Sequence, residues 1–299
     1  MRTVFALLLL TGTVLGQPPA FSVAPNPALR FQPASDGGFQ FDTGVLRGRL
    51  RAGGESVGLT QVFHVPTGHR LDRSKGLLSH YRVFTRGRRY GDGAWDWHGT
   101  ATLHADGAVE VRWPATDERP FELRAVYRWR SPASLEVETG VTAREALTGF
   151  ESFLACYFDP AFQRAAIRIA PAQPGGQPRW QSATRELGDW QMYPRDAAIR
   201  SLIEDGRWQL EPHPVAWTFP APFAGPVATA IREAPTLKLR AELKAPAKGC
   251  FALATPYETE GHFSTYASLF GRDLRAGETA RARVRLMFRS LTEGGAASR

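Results

Sequence analysis

The stretch TARARVRLMFRS, Thr279–Ser290, reads as a β-strand before it reads as anything else. Ala280, Ala282, Val284, Leu286 and Phe288 fall on one face, and Arg281, Arg283, Arg285 and Arg289 on the other. That is the period of two a strand requires. One apolar and one charged face is what an antiparallel sheet with one buried and one wet side produces. The arginine row therefore reads as a solvated face in preference to an anion-binding row.

The same signature extends backwards through the chain. Residues 39–41 and 45–51 alternate around the turn Asp42-Thr43-Gly44. Further strands are expected over 57–65, 78–84, 108–113, 121–129, 135–142, 150–158, 215–219, 237–243 and 250–254. Ala105-Asp106-Gly107 and Ser131-Pro132 supply turn chemistry at the breaks. The best helix signal is PRDAAIRSLIED, residues 194–205, with proline near its start and Gly206 just past its end. Residues 171–178 form the strongest internal break, but strands of similar character flank it. These features predict an all-β fold, a large antiparallel sandwich in a single domain spanning 39–290, with one or two short helices.

The first residues carry one charge at Arg2, an apolar run over 4–10 and the compact residues Val14-Leu15-Gly16. This predicts a signal peptide over 1–16, cleaved near Gly16, and a secreted or periplasmic protein; an uncleaved anchor is the alternative. The run is far shorter than the ~20 residues a spanning helix needs, so no stable membrane insertion is expected after cleavage. Residues 17–38 read as an extended, proline-rich lead-in and 291–299 as a flexible tail. The net charge of +8 invites a nucleic-acid partner, but export argues against one, and the basic residues are scattered rather than blocked. Four of the 37 basic residues are lysine and Asn26 is the only asparagine, a skew that reads as coding bias. Cys156 and Cys250 form either one bridge or two buried thiols, since spacing alone does not pair them.

The segments GHFSTYASLFGRDLRAGETARARVRLMF (261–288), RPFELRAVYRWRSPASLEVETGVTA (119–143) and GFESFLACYF (149–158) carry a further signal. A polar strand with a histidine, a D-L-x-x-G-E turn at Asp273 to Glu278 and a final apolar strand resemble the end of galactose mutarotase-like proteins. The resemblance spans roughly residues 39 to 290 and implies a β-supersandwich. That superfamily holds aldose epimerases, carbohydrate-binding domains of glycoside hydrolases and polysaccharide lyases, and periplasmic glucan-handling proteins. It thus implies carbohydrate, a saccharide or polysaccharide, as partner. It leaves the reaction open between epimerase, hydrolase and lyase, and leaves open whether there is one. A noncatalytic structural or interaction module of the cell envelope is the alternative.

Chemistry is densest in GLLSHYRVFTRGRRYGDGAWDWH, residues 76–98. His80 and Arg82 lie two apart on an expected strand and should share a face. Arg89, Tyr90, Trp95 and Trp97 follow on a glycine-hinged loop. Together they supply cations and aromatic faces, the groups a sugar ring needs, unless the tryptophans plug the end of the sandwich. On the strand 150–158, Glu151, Phe153, Ala155 and Tyr157 are expected on one face. Phe150, Ser152, Leu154, Cys156 and Phe158 are expected on the other. Glu151, between two apolar faces, is then an ion-paired carboxylate or one held with a raised pKa for proton transfer. ATPYETEGHFSTY (254–266) brings Tyr257, Glu258, Glu260 and His262 together. An acid and a histidine are the minimum for opening and epimerising a sugar ring. The candidate catalytic residues are thus His80, Glu151, Glu258 and His262. The candidate ligand contacts are Arg82, Arg89, Tyr90, Trp95, Trp97, Tyr157 and Tyr257. His64, His69, His80, His98, His104, His213 and His262 show no zinc-binding spacing, so neither metal nor cofactor is implied. Gly54-Glu55-Ser56-Val57-Gly58 matches the nucleophile-elbow pattern, yet a strand follows it where a helix is required, so it reads as a turn.

Overall fold

The structure is a computed structural model and describes residues 29–52, 54–173, 175–257 and 261–291. The expected signal peptide, the first part of the lead-in, Glu258, Glu260 and nearly all of the tail lie outside these residues. Within them, two antiparallel sheets face each other across one apolar core.

The first sheet runs in the order Gln32–Pro33, Phe39–Asp42, Leu46–Arg51, Gly58–His64, Asp72–Thr85, Leu147–Phe158, Ser264–Leu274, Cys250–Pro256 and Trp190–Pro194. The second runs Arg179–Ser182, Arg164–Ile169, Val227–Ala234, Leu239–Pro246, Thr279–Ser290, Ser134–Ala143, Phe121–Ser131, Val109–Trp113, His98–Leu103 and Gly54–Glu55. The strand Thr279–Ser290 has the bounds its alternation predicts, between Ser134–Ala143 and Leu239–Pro246. Its apolar face enters the core and its arginines meet acids across the ladder. Arg283 lies 2.8 Å from Glu138 and Arg285 3.0 Å from Glu136. Each such half-exposed pair contributes about 0.2–1 kcal/mol, so the row is a solvated ion-pair surface.

The first sheet is apolar on both faces at its centre. Its inner face joins the main core, while Phe84, Phe153, Ala155, Phe251 and Tyr266 point outward. The helix Ala197–Ile203, the turn Arg207–Gln209 and the chain after it cover them. This is why Leu147–Phe158 is buried along almost its whole length. The helix is shorter than the sequence suggests because Pro194 closes a strand and Asp196 caps the helix, its side chain accepting from Ile199 N at 2.9 Å. Residues 215–219 do not form a ladder, contributing one parallel bridge, Gln191 with Thr218.

Both cysteines are buried, free thiols, with pKa values pushed up to about 12 by burial, which leaves two thiols and no bridge. Ser56 is buried beside the short strand Gly54–Glu55 and is followed by the strand starting at Gly58. The strand, turn and helix that a nucleophile elbow requires are not what surrounds it. No described helix is long and apolar enough to cross a membrane.

Candidate binding cleft

The outer face of the first sheet opens into a cleft of about 680 Å3. One irregularity places its central residues. On the ladder between Asp72–Thr85 and Leu147–Phe158, His80 pairs with Leu154 and Val83 with Ser152. Two residues, Tyr81 and Arg82, therefore stand opposite one, Phe153, which is a β-bulge. The extra residue shifts the alternation by one, so His80 turns inward while Arg82 joins Phe153 on the cleft side.

His80 and Arg82 accordingly do not share a face. His80 is 1% exposed and bridges the two sheets. Its Nδ1 lies 3.1 Å from Ser152 Oγ and its Nε2 3.2 Å from Thr139 Oγ1, with Trp113 edge-on at 5.5 Å. Burial pushes its pKa down to about 3, so it is neutral near neutral pH and stands away from the cleft.

Glu151 falls on the outward face with Phe153, Ala155 and Tyr157, as its alternation predicts, but is sealed beneath the covering turn. It is wholly buried, with Oε2 3.1 Å from Arg207 Nη1. Burial raises its pKa against the attraction of Arg207, whose charge is shared with Asp205 at 2.9 Å. Tyr90 and Trp97 are also in the main core. Tyr90 Oη meets Thr85 Oγ1 at 3.1 Å, and Trp97 packs on Phe121 under the Arg119 guanidinium. Tyr257 lies outside the cleft lining, its N–H donating to Asp189 O at 2.8 Å.

Arg82, Arg89, Trp95, Tyr157 and His262 do converge on the cleft. Around them runs a belt of rings drawn from segments far apart in the sequence. Tyr81 and Trp95 stack at 4.1 Å and 8°, and Trp95 meets Tyr157 at 6.3 Å. Tyr157 and Trp190 flank His262 at 6.3 and 5.5 Å. Trp190 meets Trp217 at 5.9 Å, and Trp217 meets Trp208 at 5.1 Å, both edge-to-face. Tyr81, Tyr157, Trp190 and Trp217 are half-buried, so part of each ring faces the opening. Trp190, Trp208 and Trp217 come from three elements, a strand end, a 3₁₀ turn and an extended segment.

The charged groups are unevenly placed. The Arg89 guanidinium is tied to backbone, donating to Gly91 O at 3.0 Å, Asp92 O at 2.6 Å and Pro212 O. Its pKa is lowered by burial and then by the neighbouring charge of Arg82. Lys75 Nζ stands 4.9 Å from the Trp95 ring centre, and Asp92 and Asp96 occupy the rim. Burial pushes the phenol of Tyr157 well up, so it is a neutral hydrogen-bonding group near neutral pH. Among the described residues no three His, Cys, Asp or Glu side chains gather as a metal site.

No known protein family matches the sequence, and no curated protein matches it either. Solved structures match the fold. A galactose mutarotase-like protein from Clostridium acetobutylicum superposes with a TM-score of 0.51 at 12% identity, covering 89% of this chain and 100% of that one. A galactose 1-epimerase from Lactobacillus acidophilus gives 0.48 at 12% identity, over 88% and 98%. A putative aldose 1-epimerase from Escherichia coli K12 gives 0.45 at 14% identity, over 83% and 97%. The two facing sheets and the superposition along nearly the whole chain together show that this protein has the galactose mutarotase-like supersandwich fold.

Proposed function

We propose that the cleft binds a saccharide. The observation that carries this reading is the belt of half-buried rings, Tyr81, Tyr157, Trp190 and Trp217, around an open cleft that also holds Arg82 and His262. Sugar rings present apolar C–H faces and hydroxyl edges, which suit flat aromatic surfaces and fixed hydrogen-bonding groups respectively. The Clostridium acetobutylicum structure is called galactose mutarotase-like, which makes hexoses and their polymers the first ligands to try. A shared fold does not fix a shared reaction, so the proposal is of binding.

Titration of the protein against a panel of oligosaccharides, followed by tryptophan fluorescence, tests it. Trp190→Ala and Trp217→Ala are each expected to weaken the best ligand about tenfold, the equivalent of ~1.4 kcal/mol. Full affinity in both variants would remove the ring belt from the site.

The protein is further proposed to act outside the cytoplasm, on the strength of the charge at Arg2 and the apolar run that follows. Expression of the full chain in a secreting host should yield protein beginning at about Gln17 in the exported fraction. An intact amino terminus retained in the cytoplasm would count against export.

A further inference from the structure

Arg82 is the least satisfied charge in the cleft. It is 4% exposed, and its Nη2 donates to the His213 carbonyl at 2.7 Å. Its Nε and Nη1 are buried and have no hydrogen-bond partner among the described residues. No carboxylate among the described residues pairs with it. Arg207, equally buried, holds both Glu151 and Asp205. The faces of Tyr81 and Trp208 lie 5.0 and 5.2 Å from its guanidinium carbon, so what surrounds the charge is aromatic and backbone. Arg89 adds a second positive group beside it, its pKa lowered by burial and then by the charge of Arg82. Asp92 acts on Arg89, and both Asp92 and Asp96 are exposed at the rim.

A buried guanidinium with unmade N–H bonds is unfavourable in the free protein, and an anionic oxygen is the group that best relieves it. A carboxylate matches the planar fork of arginine, whereas a hydroxyl supplies one oxygen and no charge. We propose that the cleft takes an acidic saccharide, with a uronate carboxylate docked on Arg82 while the sugar rings lie against the aromatic belt. The inference rests on the reading of the cleft as a saccharide site and adds the class of sugar. It places the carboxylate at the inner end of the cleft, beside Trp208, and the rest of the chain towards Trp95 and Trp190.

Isothermal titration of the whole protein with galacturonate, glucuronate and mannuronate oligosaccharides tests this. Each is compared with its methyl ester, which keeps the rings and removes the charge. At least one acid is expected to bind about tenfold or more tightly than its ester. Arg82→Gln should bring that ratio close to one, and Arg82→Lys, which keeps the charge and loses the fork, should retain part of it. The comparison of acid with ester in the unmodified protein holds even where a variant folds poorly. Equal affinity for acid and ester overturns the acidic assignment and leaves saccharide binding standing. Tighter binding of a sulfated neutral oligosaccharide overturns the carboxylate. Binding of no saccharide in the panel, acidic or neutral, overturns both readings together.

Discussion

Between pH 7 and about pH 4.5 this protein is expected to lose about 3 kcal/mol of stability through His80 alone. In the unfolded chain that imidazole titrates near its ordinary value of 6.5, and burial pushes it down to about 3 in the fold. Between those values the unfolded state binds more protons than the folded one, so stability falls as the pH drops. The slope is about 1.4 kcal/mol per pH unit, beginning below 6.5 and ending near 3. Carboxylates held low by arginine and backbone partners, such as Asp106 and Glu136, add their own acid sensitivity in a lower window. Comparison with His80→Gln separates the two, since an amide still reaches the hydroxyls of Ser152 and Thr139 and has no proton to gain. Urea unfolding midpoints across this pH range should fall more steeply for the unmodified protein than for the variant. Parallel curves would show that His80 does not stay neutral in the fold.

Arg207→Met is expected to lose about 3–5 kcal/mol at neutral pH, the range for breaking one side of a buried ion pair. The guanidinium donates to Gly149 O at 2.8 Å, to Glu151 Oε2 at 3.1 Å, and to Asp205 through Nε at 3.0 Å and Nη2 at 2.9 Å. Without it, Glu151 is a wholly buried carboxylate that has lost its ion-pair partner. Its pKa, already raised by burial, rises further. A carboxylate raised in the fold binds more protons folded than unfolded, so its penalty grows as pH rises through the folded value. The loss in Arg207→Met should therefore be larger at pH 8 than at pH 5, and adding Glu151→Gln should recover part of it. A loss below about 1 kcal/mol in chemical denaturation would show that the pair does not anchor the covering turn.

Glu151 and His80 show where a sequence is legible and where it is not. The alternation over 150–158 correctly separates Phe153 and Tyr157 from Leu154 and Cys156, because that ladder keeps its period along the stretch. The same rule applied to His80 and Arg82 fails at the bulge opposite Phe153. Tyr90 and Trp97, read as ligand contacts beside Trp95, pack into the core with Phe121, while Trp95 alone of the three turns to the cleft. Nothing local distinguishes them. Trp190, Trp208 and Trp217 were invisible as a group, since 27 residues separate the first from the last and each belongs to a different element.

The class of fold is legible in the residues of single strands. Period-two alternation is enforced residue by residue, through the pleat and the cost of burying charge, and Thr279–Ser290 displays it without help from any other segment. Which side chains meet depends on the pairing of distant strands. Whether an extra residue is inserted between His80 and Val83 depends on pairing with a strand about 70 residues away. That one insertion sends a histidine into the core and an arginine into the cleft. A bulge is a property of two strands together, and neither strand carries it in its own pattern.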